Sequence, residues 1–142
     1  MASRRAWNDF VMSSHLAFLP GIAVASARGL YDAAVLISVM VFFSLWYHRE
    51  AEKNRLVARV ELCSVCALFA YGSLQFREAP DALALSAEVV CACVTVATYV
   101  AGFFMCDDRR CYDFWHPIGL HLVPALWSLL VAGTHPSLVP LR

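Results

Sequence analysis

Long apolar runs separated by short charged clusters set the pattern of this chain. Asp, Glu, Lys and Arg are absent from Phe10 to Ala27, from Ala33 to His48 and from Phe114 to Leu141. Leu56 to Phe76 carries only Arg59 and Glu61, both near its start, and Ala82 to Cys106 holds a single acid, Glu88. A helix crossing hydrocarbon needs about 20 mostly apolar residues, so the pattern predicts five spans, at about 10–27, 30–48, 57–76, 83–105 and 114–133. Inside a bilayer each backbone group must be satisfied within its own segment, which a helix achieves, whereas a barrel would show alternation. The expected fold is all-α, a multi-pass transmembrane helical bundle forming a single domain over residues 1–142.

Composition agrees. Of 142 residues 61% are hydrophobic and 15% charged, which leaves too little polar surface for five all-round apolar helices to fold as a soluble bundle. Net charge is zero, and nothing in the sequence points to a nucleic-acid partner. Ala2 stands where myristoylation needs glycine, and the C-terminus lacks a prenylation cysteine. The first apolar run follows Arg4 and Arg5 like a signal peptide, and with more helices behind it reads as a retained span.

Five spans place the N-terminus, the loop near 48–56 and the loop near 106–113 on one membrane face. That face carries Arg4, Arg5, Arg49, Lys53, Arg55, Arg59, Arg109 and Arg110, against Arg28, Arg77 and Arg142 opposite. The positive-inside rule makes the richer face cytoplasmic. Trp46, Tyr112 and Trp115 fall at the same interface, as belt residues do. Ala84, Ala87, Cys91, Thr95, Thr98 and Gly102 make a small-residue stripe on the fourth span, suited to close helix packing. Pro20 and Pro124 are expected to kink their spans. Glu88 reads as a snorkelling or helix N-terminal carboxylate, His15 as an interfacial side chain, and His135 as part of the tail.

Cys63, Cys66, Cys91 and Cys93 lie inside spans and read as packing residues. Cys106 and Cys111 flank a short charged loop and would pair if that face is extracellular or luminal.

Polar groups inside spans are costly and usually functional. Ser44 and His48 are one turn apart at the end of the second span. Glu61 lies near the start of the third, and His116 and His121 near the start of the fifth. The parity of five spans brings all of these to one membrane face. Three neutral imidazoles can hold zinc with a water in the fourth position. Glu61 would orient or deprotonate that water, and Ser44 would donate to a developing oxyanion. His116 and His121 are five apart, about 140° around a regular helix, so both can face one metal only if the helix is irregular between them. Pro117 offers the means if His116 sits at or just before the helix N-terminus; otherwise only one of the two binds.

The stretch SSHLAFLPGIAVASARG at residues 13–29, followed by a span ending FFSLWYH, resembles the opening of myomaker-like membrane proteins. These belong to the CREST superfamily of alkaline ceramidases and adiponectin/progestin receptors. The resemblance covers most of the chain and is strongest over residues 10–48. It implies a Ser-x-x-x-His in the second span, matched by Ser44 and His48, an acid in the third, placed at Glu61, and a final histidine pair, placed at His116 and His121. It further implies zinc, a membrane-lipid substrate and hydrolysis of lipid amides or esters. The chain departs from the family in its wider final spacing, in Glu61 where aspartate is usual, and in five spans where the family has seven. Such a shortened bundle has thinner pocket walls, which raises a non-catalytic structural or membrane-remodelling role, or dependence on a second copy or a partner membrane protein. A ligand-sensing receptor has no specific support in these residues. The myomaker-like branch implies a metal face outside the cytoplasm, opposite to the basic-residue reading, and the choice between plasma membrane and endomembrane stays open.

Overall fold

A computed structural model describes residues 9–50, 53–105 and 109–134. Among these residues the chain forms five helices long and apolar enough to cross a membrane, and there are no strands. They are α1 (Phe10–Ala27), α2 (Tyr31–Arg49), α3 (Arg55–Gln75), α4 (Ala82–Met105) and α5 (Arg110–Thr134). The bundle is all-α, as the charge gaps predict. Large apolar side chains such as Leu16, Val35, Phe42, Leu62 and Val90 point outward, which suits hydrocarbon surroundings and makes this an integral membrane protein.

Local chemistry fixes the ends. Asp9 caps α1 by accepting from the Val11 amide at 2.9 Å, and Asn54 caps α3 by accepting from the amides of Leu56 and Val57. The amide of Leu30 bonds the Ala25 carbonyl at 2.8 Å and that of Gly29 bonds Ser26 at 3.2 Å. This paired closure of α1 needs a left-handed residue, supplied by Gly29 at φ 76°.

Two helices are irregular where proline breaks the ladder. In α1, residues Ser14–Phe18 tighten into a 3-10 turn ahead of Pro20; proline cannot donate to the carbonyl four residues back and crowds it. In α5, residues Pro117–Leu122 widen into a π-helical turn between Pro117 and Pro124. The fifth helix begins about four residues earlier than expected, so His116 is a full turn inside it. The irregularity foreseen between His116 and His121 is therefore this wide turn, not a helix start at His116.

α1 packs on α2 and α5, α2 on α3, and α4 on α5, while α3 makes little contact with α4 beyond their connecting turn. Phe18, Ile37, Met40 and Ala125 form the central cluster, and Cys91 and Ala92 pack with Trp127 and Val131. Cys91 and Thr95 of the small-residue stripe are buried, and Cys91 and Thr98 of that stripe meet α5, at Trp127 and Val131 and at Gly119. Thr98 and Gly119 meet so closely that a Cβ on Gly119 would overlap the Thr98 side chain. Gly119→Ala is expected to destabilise the fold by about 1–3 kcal/mol, the usual cost of overpacking. Thermal unfolding in detergent reads this directly, and an unchanged midpoint would refute the close approach.

Glu88 is fully buried. That excludes the snorkelling geometry expected for it, since a snorkelling carboxylate reaches the interface. Cys106 and His135 lie outside the described residues; Cys111 is disulfide-bonded. Cys63, Cys66, Cys91 and Cys93 are free thiols.

Candidate metal centre

Four histidines converge at one end of the bundle. His48 closes α2, His116 precedes the wide turn of α5 and His121 lies within it, and His15 enters from the tight turn of α1. The rings of His48 lie 4.8 Å from His116, 5.5 Å from His121 and 5.7 Å from His15, centroid to centroid. His15 and His121 are closer still, at 3.9 Å.

The wide turn answers the spacing problem. A π-helical turn takes in one residue more than an α-helical turn, so positions five apart occupy the places that positions four apart hold on a regular helix. The ring centroids of His116 and His121 are accordingly 5.0 Å apart, although a uniform α-helix would turn them about 140° from each other.

His15 was expected at the interface, yet it is only 2% exposed. Its Nδ1 donates to the carbonyls of Val11 at 2.8 Å and Met12 at 3.2 Å, which leaves Nε2 as the nitrogen with the lone pair. That Nε2 is buried with no hydrogen-bond partner. An unsatisfied buried polar atom costs about 1–3 kcal/mol, and a cation would relieve it.

Ser14 performs a comparable task for His121. Its hydroxyl donates to the Val11 carbonyl at 2.9 Å, and its oxygen lies 2.6 Å from His121 Nδ1. With its one proton directed at Val11, Ser14 accepts from Nδ1–H and leaves the His121 Nε2 unprotonated. Ligating histidines are held by just such contacts on the other ring nitrogen.

His15, His48 and His121 are all buried, and one ring nitrogen from each lies within 4.8 Å of the others. These three can hold a metal ion. His116 Nε2 is 3.1 Å from His48 Nε2. Two nitrogens bound tetrahedrally at zinc distances are separated by about 3.3 Å, so this pair is already at ligand spacing. The donor set of neutral imidazoles suits zinc.

The remaining expected residues are also present. Ser44 is 1% exposed and donates to Glu61 Oε1 at 2.8 Å. The same oxygen lies 3.9 Å from His48 Nε2. With its proton on the carboxylate, Ser44 is placed to orient Glu61; serving an oxyanion would require the hydroxyl to turn away. Tyr112 leans on His116 at 4.5 Å between ring centroids.

Beside this cluster a cavity of about 450 Å³ opens between α2, α3, α4 and α5. Ser44, Glu61, His116 and His121 form its polar wall, and Leu62 of α3 and Tyr99 of α4 also line it. A smaller apolar cavity of about 60 Å³ shares Met40, Val65 and Leu120 with it and runs toward Gly72 and Trp127.

Fold and site together define a class: an all-α membrane bundle with a buried histidine cluster at the head of an apolar cavity. The sequence matches no protein-family model, and neither the curated proteins nor the solved structures contain a match to it.

Proposed function

We propose that this protein is a zinc-dependent membrane hydrolase acting on an ester or amide bond of a lipid, related to the myomaker-like branch that its sequence resembles. One observation carries the reading. His116 and His121 of the histidine cluster, with Glu61, line a cavity between membrane-spanning helices, and this cavity adjoins a smaller apolar one through Met40, Val65 and Leu120. A polar reacting group presented to the histidines and a hydrocarbon chain lying along Met40 and Val65 would each meet matching surroundings.

Zinc, when bound by the histidines, supplies Lewis acidity and lowers the pKa of a water toward about 7. The protein's own residues do the rest. Glu61 accepts a proton at Oε1 from the attacking water. Ser44 holds that carboxylate in place through its 2.8 Å hydrogen bond. Met40, Val65 and Leu120 exclude bulk water from the chain side of the cavity. Cys111, disulfide-bonded near the head of α5, favours a luminal or extracellular metal face, because disulfides persist in oxidising compartments.

Release of fatty acid from ester and amide lipids in proteoliposomes tests the proposal. Turnover should require zinc. Ser44→Ala should lower it by about tenfold to a hundredfold, the usual loss when a supporting hydrogen bond to a site residue is removed. A second reading has its own support: four imidazoles around one ion leave no open position, as in structural zinc sites. Zinc bound at full occupancy with no turnover on any lipid would favour that reading, with the metal tying α1, α2 and α5 together.

A further inference from the structure

We propose that His15, His48 and His121 form the permanent donor set, and that His116 is a fourth, displaceable donor standing between them and the cavity. The inference rests on the metal reading of the cluster and assigns each histidine a different duty.

Two of the four rings are tied to α1. His15, on α1, is held by two backbone carbonyls of its own helix, and His121, on α5, by Ser14 of α1, so in both rings Nδ1 is engaged and Nε2 is left as the donor nitrogen. His15, His48 and His121 are at most 2% exposed, whereas His116 is half-buried. Position separates them next. His116 and His121 line the large cavity, while His15 and His48 lie behind it. A ligand arriving along the cavity therefore meets His116 before it meets His15 or His48.

The backbone supplies the means of movement. Pro117–Leu122, the wide turn, starts directly after His116 and contains His121, and such turns recur at functional sites because they loosen the helical ladder locally. His121, within it, is held by Ser14 of α1; His116, before it, ends the short helical segment Arg109–His116 that leads into the turn. One donor of the pair can shift without the other. At rest His116 Nε2 stands 3.1 Å from His48 Nε2, at ligand spacing beside the set of His15, His48 and His121. An oxygen-bearing ligand or small anion in the cavity would take the place of His116 beside those three.

Cobalt(II) replaces zinc in such sites and reports its ligands by visible absorption, and azide serves as the probe anion. The full chain in detergent should bind about one cobalt per molecule. His116→Ala should keep that cobalt and change its spectrum at an azide concentration at least about tenfold lower than wild type needs. His15→Ala should weaken cobalt binding by about tenfold or more, at least the loss seen when a mere supporting contact is removed. His15→Gln, of similar reach, replaces it where the alanine variant fails to fold by circular dichroism. The assignment is overturned if His15 variants bind like wild type, if His116→Ala loses cobalt as fully as His48→Ala, or if azide acts equally on wild type and His116→Ala. Absence of cobalt from folded wild type would overturn the metal reading as well, so the two failures are told apart.

Discussion

Purified His48→Ala protein is expected to carry no zinc, against about one ion per chain in wild type. His48 is the sole histidine that α2 contributes and is fully buried. Its Nε2 is also the atom nearest to two others of the site, 3.1 Å from His116 Nε2 and 3.9 Å from Glu61 Oε1. Without it the remaining rings belong only to α1 and α5, and the α2 side of the site has no nitrogen. Elemental analysis of detergent-purified protein measures the loss directly. A second readout is thermal: an ion that binds only the folded state raises the unfolding midpoint, so zinc should stabilise wild type and leave His48→Ala unmoved. His48→Gln guards against a cavity effect. Zinc retained near one per chain in both variants would remove His48 from the site.

Glu61→Gln is expected to lower lipid turnover by about 10²- to 10⁴-fold, the range lost with a positioned proton acceptor, while zinc content stays near that of wild type. The amide matches the carboxylate in shape and still accepts from Ser44, so the change isolates the proton-accepting role. Glu61→Asp should fall between the two, since the carboxylate survives but its reach is one methylene shorter. Ser44→Ala should cost less than Glu61→Gln, because Ser44 acts through the carboxylate. Turnover that survives Glu61→Gln intact would dismiss Glu61 as the base, and a greater loss in Ser44→Ala would return the hydroxyl to a direct role.

Much of this arrangement was legible in the chain itself. Charge gaps located five spans because charged side chains are expensive in hydrocarbon, and span parity placed Ser44, His48, Glu61, His116 and His121 at one end of the bundle. The start of α5 was misjudged because Arg109, Arg110 and Asp113 read as loop, although their segment is helical. His15 was missed for a different reason. A histidine after two serines at the start of a span has the composition of an interface, and only the backbone geometry of Ser14–Phe18 turns it inward. The available signal was Pro20, five residues on, which announces an irregular preceding turn. Ser14 could not be assigned while its partner His121, far away in the chain, had no known position. Burial of Glu88 was within reach of the sequence, because it lies four residues after Ala84 and three before Cys91, on the side of the small-residue stripe.

The underwound coil between Pro117 and Pro124 carries a wider lesson about motifs. An extra residue within a metal-binding helix need not swing a ligand away, since a local bulge can absorb the surplus and hand the original orientation back. A search for histidines at one fixed interval would pass over this chain. Comparing the directions in which side chains emerge would recover it.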